Sequence, residues 1–90
     1  MPSEVLKALS DPTRIKIVQA LEGKEICACE FVNITGRAQP TVSQHLSVLE
    51  NADIVKSRRD GKRILYSLTS EKVATIIEIA QEIKNQRRNI

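Results

Sequence analysis

The sequence is poor in aromatic residues and has no long apolar run. Phe31 and Tyr66 are its only Phe, Tyr or Trp residues among 90, so we expect an aliphatic core without base-stacking platforms for single-stranded nucleic acid. The longest apolar stretch, 73–83, is interrupted by polar residues such as Glu78 and is too polar to cross a membrane. Glu4 also breaks any signal-like start. We therefore expect a cytoplasmic protein that does not associate with membranes.

Groups that carry out catalysis are also scarce. The chain has one histidine, no glycine-rich phosphate loop and no carboxylate pair beside a nucleophile, so we predict that it is not an enzyme and needs no cofactor to fold. A length of 90 residues allows one domain, 1–90, with a modest core. Chains this short often gain further core by pairing with a copy of themselves.

Positive charge is concentrated in one short segment. Residues 56–63, KSRRDGKR, carry five basic side chains and one acidic one, whereas residues 1–55 carry five basic and seven acidic ones. Such a patch favours a polyanionic partner such as nucleic acid. A solvated hairpin tip rich in Lys and Arg is the alternative interpretation of the charge taken alone.

The first four helices are predicted from their caps and apolar spacing. A short helix with one apolar face comes first, and Asp11 and Pro12 then begin a second helix by capping it and pre-setting its first turn. On this interpretation Arg14, in the same turn, is a surface charge. A third helix is predicted over about 26–34. A fourth covers about 39–51 and buries a stripe at helical spacing.

The remainder of the chain changes to strand character. Residues 54–59 and 64–68 are β-prone and are joined by Asp60-Gly61, a hairpin turn signal, which predicts a wing over about 54–68. A last helix follows over about 70–85. The order predicts a mostly α-helical fold with a small β-hairpin wing, the layout of a winged helix-turn-helix.

The exposed face of the fourth helix suits contact with DNA. It carries hydroxyl and amide groups, and no acidic residue occurs from Phe31 to Leu49. Such groups can reach base edges and phosphates without bringing a carboxylate near the DNA. An ordinary polar surface helix is the alternative interpretation. The basic hairpin that follows the helix favours contact with DNA over this alternative.

Four segments resemble the ArsR/SmtB family of repressors: ALSDPTRIKIVQAL, EICACEF, QPTVSQHLSVLENADIV and RRDGKRILYSL. The resemblance covers about residues 5–80. It implies a homodimer with the first and last helices at its interface, Gln39 to Ser47 in the major groove and Arg58 to Arg63 at the wing tip. The implied DNA-contacting residues are Gln39, Thr41, Ser43, Gln44, His45, Ser47, Arg58, Arg59, Lys62 and Arg63.

Apolar surface on the first and last helices supports the expectation of a homodimer. It exceeds what a chain this short can readily cover, and a two-fold dimer would bury it. The expected interface residues are Val5, Leu6, Leu9, Ile76, Ile79 and Ile83.

Two positions need separate interpretation. His45 lies at the edge of the fourth helix's buried stripe, so it either packs and hydrogen-bonds there or, as the resemblance implies, contacts DNA or orders the helix; a lone histidine is an unlikely zinc ligand. Asp53 stands where the family usually has glycine. Because Asp tolerates the left-handed backbone of a helix end, we expect the turn to survive.

Cys27 and Cys29 are the expected sensor residues. EICACEF resembles the ELCVCDL motif that binds thiophilic metals, arsenite and antimonite in part of the family, which implies arsenite, antimonite or cadmium as inducer. Val32 occupies the place of the third cysteine of the family's arsenite site. The last helix contains no histidine, so the family's zinc site is absent.

Helix geometry predicts that these two thiols point apart. Residues two apart on a helix differ by about 200°, so a third helix beginning at Ile26 would have to unwind before Cys27 and Cys29 could bind one atom or each other. That distortion would reach the fourth helix, whose exposed face suits contact with DNA, and would lower the affinity for DNA. Metal or metalloid sensing, thiol oxidation and inert buried cysteines remain open alternatives.

The sequence therefore predicts a duplex-DNA-binding transcriptional repressor that is released when the cysteine pair binds a thiophilic ion. A repressor switched by thiol oxidation is the first alternative. A winged-helix module that binds protein or double-stranded RNA is the second, and salt-dependent binding of duplex DNA would distinguish the repressor from it.

Overall fold

The computed structural model describes residues 2–88, which form five α-helices and a three-stranded antiparallel sheet. The β3 strand lies between β1 and β2. This is the predicted winged helix-turn-helix with a β-hairpin wing. The elements are α1 (Pro2–Ala8), α2 (Pro12–Ala20), β1 (Ile26–Cys27), α3 (Phe31–Thr35), α4 (Gln39–Asn51), β2 (Val55–Asp60), β3 (Arg63–Leu68) and α5 (Lys72–Arg88).

The start of α2 is fixed by its capping residue. The Asp11 carboxylate accepts hydrogen bonds from the backbone amides of Thr13 at 2.8 Å and Arg14 at 3.1 Å. These amides have no partner within the helix, so the cap stabilises the first turn. Burial raises the pKa of Asp11, but the two amide hydrogen bonds, with the nearby positive charges, outweigh it, and the net pKa is lowered.

The segment 26–30 differs from the predicted helix. Ile26–Cys27 forms the short strand β1, a 3₁₀ turn spans Ala28–Glu30, and only Phe31–Thr35 is α-helical. The reason is a partner distant in the sequence, because β1 pairs with β3 in the wing. A local apolar pattern does not reveal such pairing, and short buried strands and helices share that pattern.

The core is aliphatic around one aromatic side chain, as expected. Phe31 is fully buried and meets Tyr66 of β3 edge to face, with ring centroids 6.3 Å apart. Each fully buried large apolar side chain contributes about 1.5–3 kcal/mol. The helices bury one stripe each in this core: Ile17 and Val18 from α2, Val42, Leu46 and Leu49 from α4, and Val73 and Ile77 from α5.

The end of α4 is closed by a left-handed residue. Asp53 has φ 60°, the one positive φ among the described non-glycine residues. The Asp53 amide donates to the Glu50 carbonyl at 3.0 Å and the Ile54 amide to the Leu49 carbonyl at 2.9 Å, the two bonds of a Schellman motif. The turn therefore forms without glycine, as expected, and leads directly into β2.

Candidate nucleic-acid interface and thiol pair

The outer face of α4 presents an uncharged polar surface. Gln39, Thr41, Ser43, Gln44 and Ser47 are all exposed, whereas the opposite stripe anchors the helix in the core. The Gln39 side-chain amide donates to the Ser43 hydroxyl at 3.1 Å and so orders the first turn. This face presents hydrogen-bond donors and acceptors on a helix that is fixed in the core, which recognition of nucleobases in a DNA groove requires.

His45 lies between this face and the core. Its side chain is half-buried, and Nδ1 lies 3.1 Å from a guanidinium nitrogen of Arg14. The interpretation of Arg14 as a surface charge is wrong: it is half-buried, and its Nε donates to the Ala8 carbonyl at 2.6 Å. The sequence pattern did not predict the contact between Arg14 and His45, because the two residues are 31 positions apart.

The wing cations are in two different situations. Arg58 forms a two-pronged ion pair with Glu25, with nitrogen-to-oxygen distances of 2.7 and 2.8 Å. The hydrogen bond from Arg58 lowers the pKa of Glu25. By contrast, Arg59 and Lys62 are exposed and form no ion pair or side-chain hydrogen bond with any described residue. Glu25 was not a candidate site residue, because its partner belongs to a non-adjacent strand.

The two cysteines face each other, contrary to the prediction from helix geometry. Their sulfurs are 2.8 Å apart, both as free thiols. The prediction was wrong because Cys27 ends β1 and Cys29 lies in the 3₁₀ turn, so neither is on an α-helix. Cys27 is buried and Cys29 is exposed, which leaves Cys29 as the side of the pair accessible from solvent.

The thiol pair is electrostatically asymmetric. The hydrogen bond from Cys29 lowers the pKa of Cys27, and the Arg63 guanidinium beside it lowers that pKa further. The same hydrogen bond raises the pKa of Cys29. Cys27 is therefore the thiol that ionises first. The thiolate is the form that binds soft metals and attacks oxidants.

The thiols adjoin both α4 and the wing tip. A cleft of 320 Å³ is lined by Cys27 and Cys29 together with Gln39 at the start of α4 and Lys62 and Arg63 at the wing tip. Strand pairing explains this proximity, since Cys27 is the partner of Leu65 and Leu65 is the partner of Arg58. Opposed residues share a face of the sheet, as do residues two apart on one strand, so Cys27, Leu65 and Arg63 lie on the same face.

The thiol pair offers two soft ligands to a metal ion. Within residues 2–88, no group of three or more His, Cys, Asp or Glu side chains is placed to hold a metal. A three-coordinate ion bound to Cys27 and Cys29 would thus need a third ligand from outside the described part of the chain.

An apolar surface lies along α1 and α5. Leu6 is 58%, Ile79 51% and Ile83 66% exposed, and Ile76 is also exposed. Of the other expected interface residues, Val5 is half-buried, and Leu9 is buried at the edge of a 480 Å³ groove between α1, α2 and α5. In the part of the chain the structure describes, no helix is both long and apolar enough to span a membrane.

These elements define a winged helix-turn-helix protein, and the comparisons identify its family. The model of the arsR family of bacterial regulatory proteins matches residues 11–57. The chain belongs to this family, which consists of transcriptional regulators and not of enzymes.

Two curated relatives and one solved structure show the extent of the similarity. An uncharacterized HTH-type transcriptional regulator of Methanocaldococcus jannaschii is 37% identical over 90% of this chain and 92% of its own length. A Staphylococcus aureus homolog of a cadmium resistance transcriptional regulatory protein is 46% identical over 87% of this chain, which spans 65% of that relative. A homodimeric winged helix-turn-helix DNA-binding domain from Mycobacterium bovis superimposes with a TM-score of 0.83 at 28% identity, over 94% of this chain and 79% of the other.

Proposed function

We propose that this chain is a dimeric, DNA-binding transcriptional repressor whose affinity for DNA is controlled by the Cys27–Cys29 pair. The observation that carries the proposal is the cleft in which both thiols meet the start of α4 and the wing tip. A chemical change at the thiols there acts on the two elements that would contact DNA. The relatives described above, a cadmium resistance regulator homolog and a DNA-binding domain, support this assignment.

DNA binding is assigned to α4 and the wing. The exposed amides and hydroxyls of α4, with Gln44 at their centre, suit base edges in the major groove. The wing supplies cations for phosphates, of which Arg59 and Lys62 are exposed and available. Each phosphate contact adds about 0.9 to the salt dependence of binding.

Dimerisation is assigned to α1 and α5. Leu6, Ile79 and Ile83 together expose more apolar surface than is usual for isolated hydrophobic residues. A two-fold axis through this surface would bury it. It would also place two copies of α4 about one helical turn apart on DNA, as in other helix-turn-helix dimers.

A thiophilic metal or metalloid is the proposed signal. Two thiols that already face each other can bind one soft ion without unwinding a helix, and arsenite, antimonite and cadmium are the candidates. A bound ion would be held by both sulfurs as thiolates, with their protons released to solvent, and would compete with Arg63 for the Cys27 sulfur. The wing is thus the element disturbed first, instead of α3 as the helical placement had predicted.

Thiol oxidation is the second candidate signal, and one observation favours it. Cys29 is exposed to oxidants, and Cys27, with its lowered pKa, lies 2.8 Å away, so that the Cys27 thiolate can resolve a mixed disulfide formed at Cys29. An oxidant such as a small-molecule disulfide would be reduced to two thiols while Cys27 and Cys29 join in a disulfide.

The test is a titration of duplex DNA from the region upstream of the protein's own gene. Reduced protein, protein with arsenite or cadmium under full reduction, and protein treated with a disulfide oxidant are compared by fluorescence anisotropy. Release by the ion supports metal sensing, and release by the oxidant alone supports redox sensing. The double variant Cys27→Ser, Cys29→Ser should bind DNA and ignore every stimulus. Retention of DNA by the wild type throughout would refute control by the thiols.

A further inference from the structure

A polar cluster joins α4 to α1 and α2. Asp11, Arg14 and His45 form it, with His45 contributed by α4 and the other two by the start of α2. Arg14 also donates to the carbonyl of Ala8 at the end of α1, so one guanidinium links three helices. The proposed function does not use this cluster, although His45 is next to Gln44 in the sequence.

The donors and acceptors of the cluster define the state of the histidine. A guanidinium has no acceptor, so at 3.1 Å from Nδ1 the Arg14 nitrogen must donate and Nδ1 must carry no proton. The ring is therefore neutral, and its proton resides on Nε2. This nitrogen lies 4.0 Å from a carboxylate oxygen of Asp11.

We propose that Arg14 and His45 form a proton-sensitive anchor that fixes the position of α4, so that proton uptake by His45 weakens sequence-specific DNA binding. Arg14 is a positioning residue in this device. The inference rests on the proposed function, because it requires that α4 reads the DNA sequence.

Protonation of His45 removes the bond that anchors the ring. A proton on Nδ1 would face the donor nitrogen of Arg14, so that two donors and two positive charges meet where one hydrogen bond existed. Asp11 attracts an imidazolium, but its carboxylate oxygen lies 4.0 Å from Nε2, too far for a hydrogen bond to the ring. Water can replace the lost hydrogen bond only to a small extent, because the His45 side chain is only 17% exposed.

Other charged groups around the ring do not restore the anchor. Glu4 and Lys7 of α1 share a cleft with Arg14 and carry opposite charges. The α3 helix, which also packs against α4, contains no charged residue. Without the Arg14 bond, α4 loses its hydrogen bond to α2 and depends more on its apolar stripe, whose nonpolar contacts are not directional.

The proposal predicts opposite responses for specific and random DNA. Added positive charge strengthens non-specific, phosphate-driven binding, whereas a loosened α4 loses base contacts. When acidification protonates His45, we expect the ratio of specific to random affinity to fall by about tenfold. That factor corresponds to loss of one hydrogen bond to a charged donor.

The first experiment observes the anchor without DNA. Because the chain has one histidine, the ¹⁵N signals of its ring are unambiguous. At high pH we expect Nδ1 to be unprotonated and the Arg14 Nη–H that it accepts to exchange slowly, and acidification should change both together. A protonated Nδ1 at high pH, or an Arg14 signal that ignores the titration of His45, would overturn the proposal.

The second experiment measures DNA preference across the same pH range. The probes are a duplex enriched by the wild type from a random-sequence pool and the unselected pool, at constant salt. His45→Asn keeps an acceptor near the position of Nδ1 but takes up no proton, so its specific-to-random ratio should not vary with pH. Arg14→Gln should show a low ratio at every pH. Lys16→Gln, which removes an exposed cation from the same helix, should keep the wild-type profile.

Two results would separate failure of the anchor from failure of the proposed function. A His45→Asn profile that falls like the wild type, or a wild-type ratio that stays constant while the ring titrates, refutes the anchor. A wild type that prefers no sequence at high pH refutes base reading by α4 and with it the proposed effect on DNA, while the NMR titration still decides whether the anchor exists.

Discussion

Replacement of Glu25 by Gln should strengthen DNA binding through Arg58. In the free protein the two-pronged ion pair with Glu25 compensates the charge of Arg58, at 2.7 and 2.8 Å. Both side chains are substantially exposed, 39% for Glu25 and 56% for Arg58. Exposed ion pairs are weak and screened by salt, so phosphate can compete with Glu25 for the guanidinium.

The size of the effect follows from the number of cations in the wing. Four cations are expected to contact phosphates at the wing tip. While Glu25 neutralises Arg58, only about three of them are available, and Glu25→Gln makes the fourth available. The slope of log affinity against log salt should steepen by up to about 0.9, the contribution of one phosphate contact. At fixed salt the affinity should rise roughly two- to fivefold, which corresponds to the strength of an exposed ion pair.

Anisotropy titrations of a random-sequence duplex at several salt concentrations measure both quantities. Glu22→Gln is the matched control, because it removes the same charge at an exposed position nearby without breaking an ion pair. In the double variant Glu25→Gln, Arg58→Gln the gain should disappear. Equal changes in slope for Glu22→Gln and Glu25→Gln would show that the ion pair does not restrain Arg58 and would refute the reasoning.

Three further predictions concern stability and assembly. Asp53→Gly should stabilise the fold by about 0.5–1 kcal/mol, because glycine adopts the left-handed φ of 60° without strain; the melting temperature at fixed protein concentration should rise by a few degrees, and a fall would contradict the assigned helix end. Asp11→Ala should cost about 1 kcal/mol by removing the cap of α2. Because the pKa of Asp11 is lowered on folding, its contribution to the free energy of unfolding is complete above the unfolded-state pKa and is lost as pH falls through the folded-state pKa. Urea melts of the wild type should show this loss of stability in acid, and those of the Asp11→Ala variant should not. Leu6→Glu with Ile79→Glu should give a folded monomer by sedimentation and circular dichroism, since both side chains are exposed, and a persisting dimer would place the interface elsewhere.

Local signals in the sequence were sufficient for most of the fold. Asp11 and Pro12 define the start of α2 because capping depends on neighbouring residues. The apolar stripe of α4 and the hairpin turn at Gly61 are equally local. The resemblance of four segments to one family supplied their arrangement in space, including the left-handed turn at Asp53.

The geometry of the candidate sites depended on contacts distant in the sequence. The pairing of Cys27 with Leu65 converts an expected helix into a strand, and this pairing brings the two thiols together. The Glu25–Arg58 pair is a consequence of the same strand order. Arg14 likewise acquires its role from His45, which no pattern in its own helix indicates.

The central claim, that α4 and the wing bind duplex DNA, is tested most directly by mapping backbone amide shifts during a titration with duplex DNA. We predict that the largest shifts in the reduced protein fall on the exposed face of α4 around Gln44 and on the wing tip around Lys62, and that arsenite or an oxidant reverses them. Shifts confined to the apolar surface of α1 and α5, or an absence of shifts at low salt, would contradict the claim.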